Sequence, residues 1–386
     1  APDAAPYRRV QAHPGAADMA RLAELLAGAE RPFVILGGGG WSAEAVADMR
    51  AFVEANALPV GTSFRCADRL DNSHANYAGI VGIGLDPKLE RRIKDADLLL
   101  VVGARLGEIT TGGYQLIDIP RPKQRLVHVH PGSEELGRVY QGELLINSGM
   151  AEFAAAAKAL APVDAALWAG ETAAAHRSYL ESLEPKAIPG ELQMGEVMAH
   201  LRQTLPPEAI VTNGAGNYSA WPNRFYQYRA FPSQLGPTSG SMGYGTPAAV
   251  AAKLVYPERP VVAFAGDGCF LMNGQELATA VQHDLGIIVL VVNNGMYGTI
   301  RMNQERAYPG RVFGTDLKNP DFAALARAYG AHGETVARTE DFAPAFARAL
   351  SAEGPSVLEL RVDPEALTPN ASISEIREAA MKAQAG

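Results

Sequence analysis

The chain has 386 residues, of which 47% are hydrophobic and 20% charged, and its formal net charge is −8. This length and composition predict two or three folded domains with buried cores and exclude wholesale disorder. The negative charge argues against nucleic acid as the main partner, because the phosphate backbone requires a basic protein face.

The number of cysteines and the hydropathy of the chain indicate its cellular compartment. Cys66 and Cys269 are the only cysteines, too few for a disulfide scaffold or a cysteine-rich metal site, so we expect a reducing, cytoplasmic environment. No run of about 18 apolar residues occurs, so no membrane partner is expected. The first ten residues, APDAAPYRRV, contain no apolar segment typical of a signal peptide and are predicted to form an extended linker.

The first half of the chain alternates predicted strands and helices. An apolar strand runs into four glycines within residues 31–40, and a helical pattern follows over 42–55. Short apolar runs at 58–62, 97–103 and 125–130 predict further strands. Continuous apolar strands of this kind are typical of parallel sheets covered on both faces, so residues 1–170 are predicted to form one doubly wound domain.

A second series of elements follows a predicted linker at residues 171–190, which contains Pro185, Pro189 and Gly190 as helix breakers. Residues 191–386 are predicted to form the second domain, with a helix at 191–205 and strands at 209–212, 261–265, 286–292 and 356–362. The predicted fold class is α/β, with two doubly wound domains whose mainly parallel sheets are flanked by helices.

The most informative motif is the segment GDGCFLMNGQELATAVQHDLGIIVLVVNN at residues 266–294. It predicts a strand, a helix and a second strand, and a crossover of this kind returns Asp267 and Asn294 to the same sheet edge. Carboxylate and amide oxygens are ligands that suit Mg²⁺. A lone GDG is also an ordinary tight turn. The paired amides of Asn293 and Asn294 favour a cofactor site, since buried amides need partners.

Two other segments of the second half accompany this motif. GPTSGSMGYGTPAAVAAKL, at 236–254, places glycines and small residues before a helix, where backbone amides could contact phosphate. Within it, Met242 is either a gap-filling core residue or an apolar wedge beneath a bent ligand. In TNGAGNYSAW, at 212–221, Asn217 and Tyr218 could donate to phosphate, although such residues are also common in turns.

Together these segments resemble the diphosphate-binding domain of thiamine diphosphate enzymes, in the superfamily of acetolactate synthase, pyruvate oxidase and benzoylformate decarboxylase. GDG through NN is similar to that superfamily's fingerprint, and GSMGYGTPAA resembles its GTMGYGLPAA-type segment. The first half resembles the family's central Rossmann-like domain, including VVGAR at 101–105. The likeness is greatest to acetolactate synthase-like proteins.

The resemblance implies thiamine diphosphate and Mg²⁺ as cofactors and assigns residues to each. The Asp267 and Asn294 side chains and the Met296 carbonyl would hold Mg²⁺. Met242 would carry the one catalytic role that we assign, forcing the thiamine into a V shape. The residues expected to bind the cofactor are Asn217, Tyr218, Gly240, Ser241, Met242, Gly266, Asp267, Gly268, Cys269, Asn294, Met296, Tyr297, Gly298 and Thr299.

The family's pyrimidine-binding domain, which carries an activating glutamate, has no counterpart in the resemblance. Glu276 and Glu196 do not match the position of that glutamate, so no catalytic glutamate is assigned. We therefore expect either a fragment or one subunit of a split enzyme, which alone binds the diphosphate weakly and turns nothing over. By the resemblance, the complete protein would be a homodimer or homotetramer.

The resemblance implies an enzyme that acts on a 2-oxo acid, with acetolactate synthase-like carboligation as the leading hypothesis. The alternatives are decarboxylation without ligation and a non-catalytic nucleotide- or cofactor-binding module. FAD is a possible ligand of the first domain, but Gly37–Gly40 is not GxGxxG and His128-Val129-His130-Pro131 lacks the family's acidic residue. A structural spacer is therefore the favoured interpretation of that domain.

The remaining candidate residues have structural interpretations as well. His128 and His130 alternate on a strand and could ligate a metal, but a role at the strand end is favoured. His283 is predicted to lie at a helix C-terminus. Met302 and Arg306 are expected to face solvent or a neighbouring subunit. Four residues are candidates for shaping the substrate pocket: Met296, Tyr297, Thr299 and Ile300.

Overall fold

A computed structural model describes residues 3, 5, 7 and 10–385. The chain divides into two compact units, residues 1–181 and 182–386, here called unit 1 and unit 2. The division falls inside the predicted linker, residues 171–190. The extended linker predicted for the first ten residues lies mostly outside the described residues.

Unit 1 contains a six-stranded parallel sheet with the strand order β3-β2-β1-β4-β5-β6. The apolar runs of the central strands β1 and β4 are buried along their whole length, as parallel strands covered on both faces should be. The strands are β1 Pro32–Leu36, β2 Val60–Ser63, β3 Tyr77–Val81, β4 Leu98–Val102, β5 Arg125–His130 and β6 Leu144–Asn147.

The helices of unit 1 are α1 Ala16–Ala27, α2 Ala43–Ala55, α3 Pro87–Asp95, α4 Met150–Lys158 and α5 Ala169–Ser182. Helix α2 begins where predicted, because the Ser42 hydroxyl accepts a hydrogen bond from the Ala45 amide at 3.1 Å. Helix α5 occupies much of the predicted linker. It is held on unit 1 by the Thr172 hydroxyl, which donates to the Ala57 carbonyl at 2.7 Å.

Unit 2 contains a second six-stranded parallel sheet with the order β11-β12-β10-β9-β7-β8. The chain runs outward from β7 to β8 and then returns to β9 on the other side of β7. The strand order therefore reverses between β7 and β9, where open α/β sheets bind ligands. The strands are β7 Ile210–Asn213, β8 Gln234–Leu235, β9 Val261–Gly266, β10 Ile287–Asn293, β11 His332–Val336 and β12 Ser356–Arg361.

The crossover between β9 and β10 contains two short helices where the sequence predicted one. The helix is interrupted at Gly274, where an added Cβ would lie 2.8 Å from the Phe270 carbonyl oxygen. The helices of unit 2 are α6 Met194–Thr204, α7 Ala220–Phe225, α8 Gly245–Val255, α9 Asp267–Asn273, α10 Glu276–Gln282, α11 Gly298–Ala307, α12 Phe322–Ala328, α13 Thr339–Ser351 and α14 Ile373–Ala385.

The core of unit 2 fixes the strand ends that carry the motif. Ala263 and Ala265 of β9 pack with Val289 and Val291 of β10 in one buried apolar cluster. Burial of these side chains stabilises the pairing of β9 with β10, and the register sets Val292 opposite Gly266. The residues that follow the two strands consequently emerge side by side at the carboxyl edge of the sheet.

Both units are α/β folds with parallel sheets flanked by helices, which confirms the predicted fold class. None of the helices formed by the described residues combines the length and apolarity needed to cross a bilayer.

A candidate cofactor and metal site

A cavity of about 230 Å³ opens at the carboxyl edge of the unit 2 sheet. Its walls come from the segments that follow β7, β8, β9, β10 and β12, so it lies across the position where the strand order reverses. Thirteen of the fourteen residues predicted to bind the cofactor line it: Asn217, Tyr218, Gly240, Met242, Gly266, Asp267, Gly268, Cys269, Asn294, Met296, Tyr297, Gly298 and Thr299.

Ser241 is the predicted residue that the structure places elsewhere. Its side chain is exposed, and its hydroxyl lies 3.1 Å from that of Ser239 rather than against the cavity. The neighbouring Met242 is half-buried and lines the wall. Consecutive residues of this glycine-rich turn therefore point in different directions, which the sequence pattern alone does not specify.

Sequence reasoning missed part of the cavity wall. Val362, Ala366 and Leu367 come from the segment after β12, and Trp221 comes from α7. These side chains make that wall apolar. Ile300, predicted to shape a substrate pocket, also lines the cavity although its side chain is 51% exposed.

Asp267 occupies the first position of α9 and is 3% exposed. Its Oδ1 accepts a hydrogen bond from the Gly268 amide at 2.8 Å. Its Oδ2 accepts from the Gly295 amide at 2.9 Å and from Asn319 Nδ2 at 2.8 Å. Burial raises the pKa of the Asp267 carboxyl, while these hydrogen bonds act in the opposite direction.

The paired amides after β10 have different environments. Asn294 lines the cavity, and its Oδ1 accepts from the Met296 amide at 3.2 Å. Asn293 faces the sheet instead, where its Nδ2 donates to Glu359 Oε1 at 2.7 Å. Only the second amide of the pair is therefore positioned to meet a ligand in the cavity.

The donor set around Asp267 fits a hard divalent cation. A desolvated carboxylate, the Asn294 amide oxygen and the backbone carbonyl of Met296 are the oxygen donors that Mg²⁺ prefers, and the cavity leaves room for phosphate and water. Burial disfavours the charged form of Asp267, so a nearby cation would stabilise the carboxylate. Among the described residues no cluster of three His, Cys, Asp or Glu side chains forms an alternative metal site.

Hydrogen bonds tie the cavity segments to one another. The Thr299 hydroxyl donates to Asn217 Oδ1 at 2.9 Å, which joins α11 to the loop after β7. Cys269 Sγ donates to the Ala215 carbonyl at 2.8 Å. Asn273 Nδ2 donates to the Gly243 carbonyl at 3.0 Å, next to Met242. The cavity is thus a set of interlocked segments from one unit.

The glycines of the motif permit close approach. A Cβ at Gly268 would lie 2.6 Å from the Tyr297 ring, and one at Gly266 would lie 2.7 Å from the Tyr218 ring. Side chains at these positions would displace the two tyrosines that line the cavity. By contrast, Gly240, with φ +75°, has no atom within 4 Å of the added Cβ, so its backbone borders open space.

The histidines and the two glutamates lie outside this cavity. His128 is buried, with Nε2 2.9 Å from the Ala104 carbonyl, and burial lowers its pKa to about 4. His130 Nδ1 lies against Gly132, so the pair has strand-end roles. His283 caps the C-terminus of α10. Glu276 and Glu196 are in the first turns of α10 and α6.

Met302 has a different environment from the one predicted. It packs against a small apolar cluster that includes Leu367 and Ile376, and its Sδ lies 3.6 Å from Asn217 Nδ2. It therefore supports the cavity wall from behind, because α11 and α14 pack against each other there.

Comparison with known families agrees with the two-unit architecture. Residues 19–157 match the model of the thiamine pyrophosphate enzyme central domain. Residues 214–360 match the model of the thiamine pyrophosphate enzyme C-terminal TPP binding domain. The two matches together cover about three quarters of the chain. The chain belongs to the thiamine pyrophosphate enzyme family. The cavity lies within the part that matches the TPP binding domain and in the residues that follow it.

Curated members of the family are similar along most of this chain. The acetolactate synthase large subunit of Corynebacterium glutamicum is 30% identical over 356 residues, which are 89% of this chain and 56% of that protein. The acetolactate synthase large subunit of Parasynechococcus marenigrum is 31% identical, covering 90% and 56%. A sulfoacetaldehyde acetyltransferase of Castellaniella defragrans is 29% identical, covering 88% and 61%. The chain spans little more than half the length of these curated relatives.

Proposed function

We propose that this protein is a thiamine diphosphate- and Mg²⁺-dependent carboligase that acts on a 2-oxo acid in the manner of acetolactate synthase. The observation that carries the proposal is the cavity itself. It brings Asp267, Asn294, Met242 and the Asn217 loop together at one sheet edge, inside a unit that matches the TPP binding domain.

The proposed metal ligands are Asp267 Oδ1, the Asn294 amide oxygen and the Met296 carbonyl. The proposed diphosphate donors are the backbone amides of Gly268 and Cys269. The support is that these groups border the same cavity and that the carboxylate is buried and needs a counter-charge. Asn217 and Tyr218 line the same cavity, where they would contact the diphosphate.

When bound, thiamine diphosphate supplies the carbanion chemistry that breaks the bond to the departing carboxylate. The chain's own residues position it and keep the site dry. Met242 stands on the cavity wall as an apolar support for the bent cofactor. Trp221, Val362 and Leu367 are buried or nearly so and exclude water from that side, which strengthens electrostatic interactions within the cavity.

Carboligation is favoured over the alternatives by the names of the similar proteins, two of which are acetolactate synthase large subunits. A second candidate, transfer of an acetyl group, is favoured by the similarity to sulfoacetaldehyde acetyltransferase. Both would begin from the same cofactor and differ in the acceptor. Decarboxylation without ligation and a non-catalytic binding module remain the competing hypotheses.

For unit 1 we propose a structural role in preference to FAD binding. An added Cβ at Gly38 would lie 1.9 Å from the Gly103 carbonyl oxygen, and one at Gly103 would lie 2.6 Å from Met150 Sδ. The Trp41 indole also donates to the Gly37 carbonyl at 2.7 Å. The glycine turn after β1 is therefore packed against Gly103, which follows β4, and against Trp41.

We further propose that the protein is cytoplasmic and forms a homodimer or homotetramer.

Product analysis tests the proposed reaction. The protein, expressed from the complete reading frame, is incubated with pyruvate, thiamine diphosphate and Mg²⁺, with and without a second carbonyl compound. Carboligation predicts a coupled hydroxyketo acid, and simple decarboxylation predicts acetaldehyde and CO₂ alone. Turnover of an aromatic 2-oxo acid with none of pyruvate would contradict the proposal, as would a rise in melting temperature with FAD or NAD but none with thiamine diphosphate.

A further inference from the structure

A chain of hydrogen-bonded side chains, buried at its two ends and half-buried between them, runs from β12 of the unit 2 sheet to the candidate metal site. Glu359, on β12, accepts a hydrogen bond from Asn293 Nδ2 at 2.7 Å. Asn293 Oδ1 accepts from Asn319 Nδ2 at 2.8 Å. The same Nδ2 donates to Asp267 Oδ2 at 2.8 Å. Glu359 and Asp267 are 1% and 3% exposed, so the chain is shielded at both ends.

The orientation of each side chain in this series of hydrogen bonds determines the orientation of the next side chain. A carboxylate only accepts hydrogen bonds, so Glu359 requires the NH₂ end of Asn293 to face it. The carbonyl end of Asn293 then faces the Asn319 side chain and the Gly295 amide. Asn319 must in turn present its NH₂ group, since both Asn293 Oδ1 and Asp267 Oδ2 are acceptors. A flipped Asn319 would place its oxygen against two other oxygens.

The arrangement leaves the two oxygens of Asp267 unequal. Oδ2 accepts from both Gly295 and Asn319, which uses its two lone-pair directions. Oδ1 accepts from the Gly268 amide, the Met296 amide also interacts with the carboxyl group, and Oδ1 retains capacity for a further partner. The carboxylate is thus held in one rotamer with one oxygen available.

The geometry points to Asn319 as a positioning residue for the metal site, oriented by Asn293 and Glu359. One N–H of Asn319 donates to Asp267 Oδ2 and the other to Asn293 Oδ1, so that Asp267 Oδ1 is left to face the ligand. Glu359 fixes this orientation through Asn293, and its own carboxylate does not line the cavity. This inference rests on the proposed Mg²⁺ site. Partners of this kind orient ligands that would otherwise rotate, and their loss weakens metal binding by roughly 10- to 100-fold.

Glu359 is itself anchored, which makes the chain rigid. Its Oε2 accepts from the Thr335 hydroxyl at 2.9 Å and from Arg361 Nη2 at 3.3 Å. A buried carboxylate is costly unless it is hydrogen-bonded, so Asn293 and Thr335 are strongly held to it. The amide of Asn319 consequently has one favourable orientation.

The test measures binding of Mn²⁺, as a probe for Mg²⁺, by electron paramagnetic resonance in the presence of thiamine diphosphate. Asn319→Ala should weaken Mn²⁺ binding at least 10-fold. Asn319→Asp should weaken it too, because it removes both donors and its carboxylate repels that of Asp267, which turns Asp267 away from the metal-binding orientation. Unchanged affinity in Asn319→Ala would overturn the inference. Tighter binding in Asn319→Asp would also overturn it, since it would show that the metal site does not need the N–H groups of residue 319.

Asn223→Ala is the matched control. Asn223 is a buried amide of unit 2 that accepts from Gln234 at 3.2 Å and does not line the cavity. It should reduce the melting temperature about as much as Asn319→Ala and leave Mn²⁺ affinity unchanged. Equal losses of affinity in both variants would show that general destabilisation, and not positioning, is responsible.

A second pair of variants tests the far end of the chain. Glu359→Leu removes the acceptor that orients Asn293 and should weaken Mn²⁺ binding several-fold, whereas Glu359→Gln can still accept from Asn293 and should restore most of it. Equal affinities in Glu359→Leu and wild type would remove Glu359 from the proposal.

A metal-free crystal structure separates this inference from the proposed function. In the wild-type protein the Asp267 carboxylate should have one orientation, and in Asn319→Ala it should have two or more. If the orientations differ in this way but the wild type does not bind Mn²⁺, the metal site is wrong and the positioning role stands. If the carboxylate keeps one orientation in Asn319→Ala, the positioning role is wrong whatever the metal does.

Discussion

Asn319 Nδ2 lies 2.8 Å from Asp267 Oδ2, although 52 residues separate them in sequence. The contact joins the loop before α12 to the first residue of α9. It shows that the motif carboxylate is held by a segment outside the motif.

The two adjacent amides after β10 should respond differently to substitution by alanine. Asn294→Ala should weaken Mg²⁺-dependent binding of thiamine diphosphate with a small change in stability, because Asn294 lines the cavity. Asn293→Ala should lower both the affinity for thiamine diphosphate and the stability, because it leaves the buried Glu359 without its 2.7 Å donor. Calorimetric titration and thermal unfolding of both variants check this. Identical behaviour of the two would contradict the assigned roles.

Glu305 should make the stability of unit 2 dependent on pH in acid. Hydrogen bonding from Arg377, chiefly, lowers the pKa of this buried carboxyl from 4.5 to about 2. A lowered folded-state pKa stabilises the fold above pH 4.5, and that stabilisation is lost as the pH falls towards 2. Urea unfolding across this range should show the loss in the wild type and a flatter profile in Glu305→Gln.

Removing the cation of the same pair tests its contribution directly. Arg377→Ala should lower the free energy of unfolding by about 3 kcal/mol, because it leaves a buried carboxylate with Arg301 as its remaining cation. The pair joins α11 to α14, so hydrogen exchange in α14 should rise. A loss of less than about 0.5 kcal/mol would place this pair among ordinary surface ion pairs.

His128 should make the stability of unit 1 depend on pH at mildly acidic pH, above the range in which Glu305 acts. Burial lowers its pKa from 6.5 to about 4, so the unfolded chain binds a proton in a range where the folded chain does not. The free energy of unfolding should therefore decrease as the pH falls from 6.5 to 4. His128→Gln can keep the hydrogen bond to Ala104 and should flatten this slope. The exposed His13→Gln is the control and should leave it unchanged.

Gly245 should tolerate no side chain. An added Cβ would lie 2.9 Å from the Phe264 carbonyl oxygen and 3.0 Å from the Gly214 amide nitrogen, both backbone atoms. Gly245→Ala should destabilise unit 2 by about 1 to 3 kcal/mol and weaken cofactor binding by moving the start of α8. Gly286→Ala, whose nearest neighbour would be 3.8 Å away, should change the melting temperature little. Equal effects would contradict the close-packing argument.

The sequence predicted the parts of the site that follow from strand topology. A crossover through a helix joins two parallel strands, so the residues that follow the two strands lie at the same edge of the sheet. Asp267 and Asn294 both line the cavity for that reason. Where an apolar run marks a strand, the predicted bounds lie within two residues of those observed, and β5 has the predicted bounds, Arg125–His130. Strands β3, β6, β8 and β11 were not predicted.

The residues that were missed come from contacts between segments distant in the chain. Asn319 lies in a loop whose sequence has no periodicity, and nothing in it indicates a contact with Asp267. β12 pairs with β10 although β11 precedes it, and hydrophobic periodicity cannot specify such an order. Glu359 carried one usable signal, since it is the single charge within the buried part of its apolar strand.

The proposed function depends on a Mg²⁺-dependent thiamine diphosphate site built around Asp267. Isothermal titration of thiamine diphosphate into this chain, with Mg²⁺ and then with chelator, measures that site. We expect measurable binding with Mg²⁺ only, its loss in Asp267→Ala, and its retention in the exposed control Asp341→Ala. Binding that is equally strong with chelator, or that survives in Asp267→Ala, would contradict it.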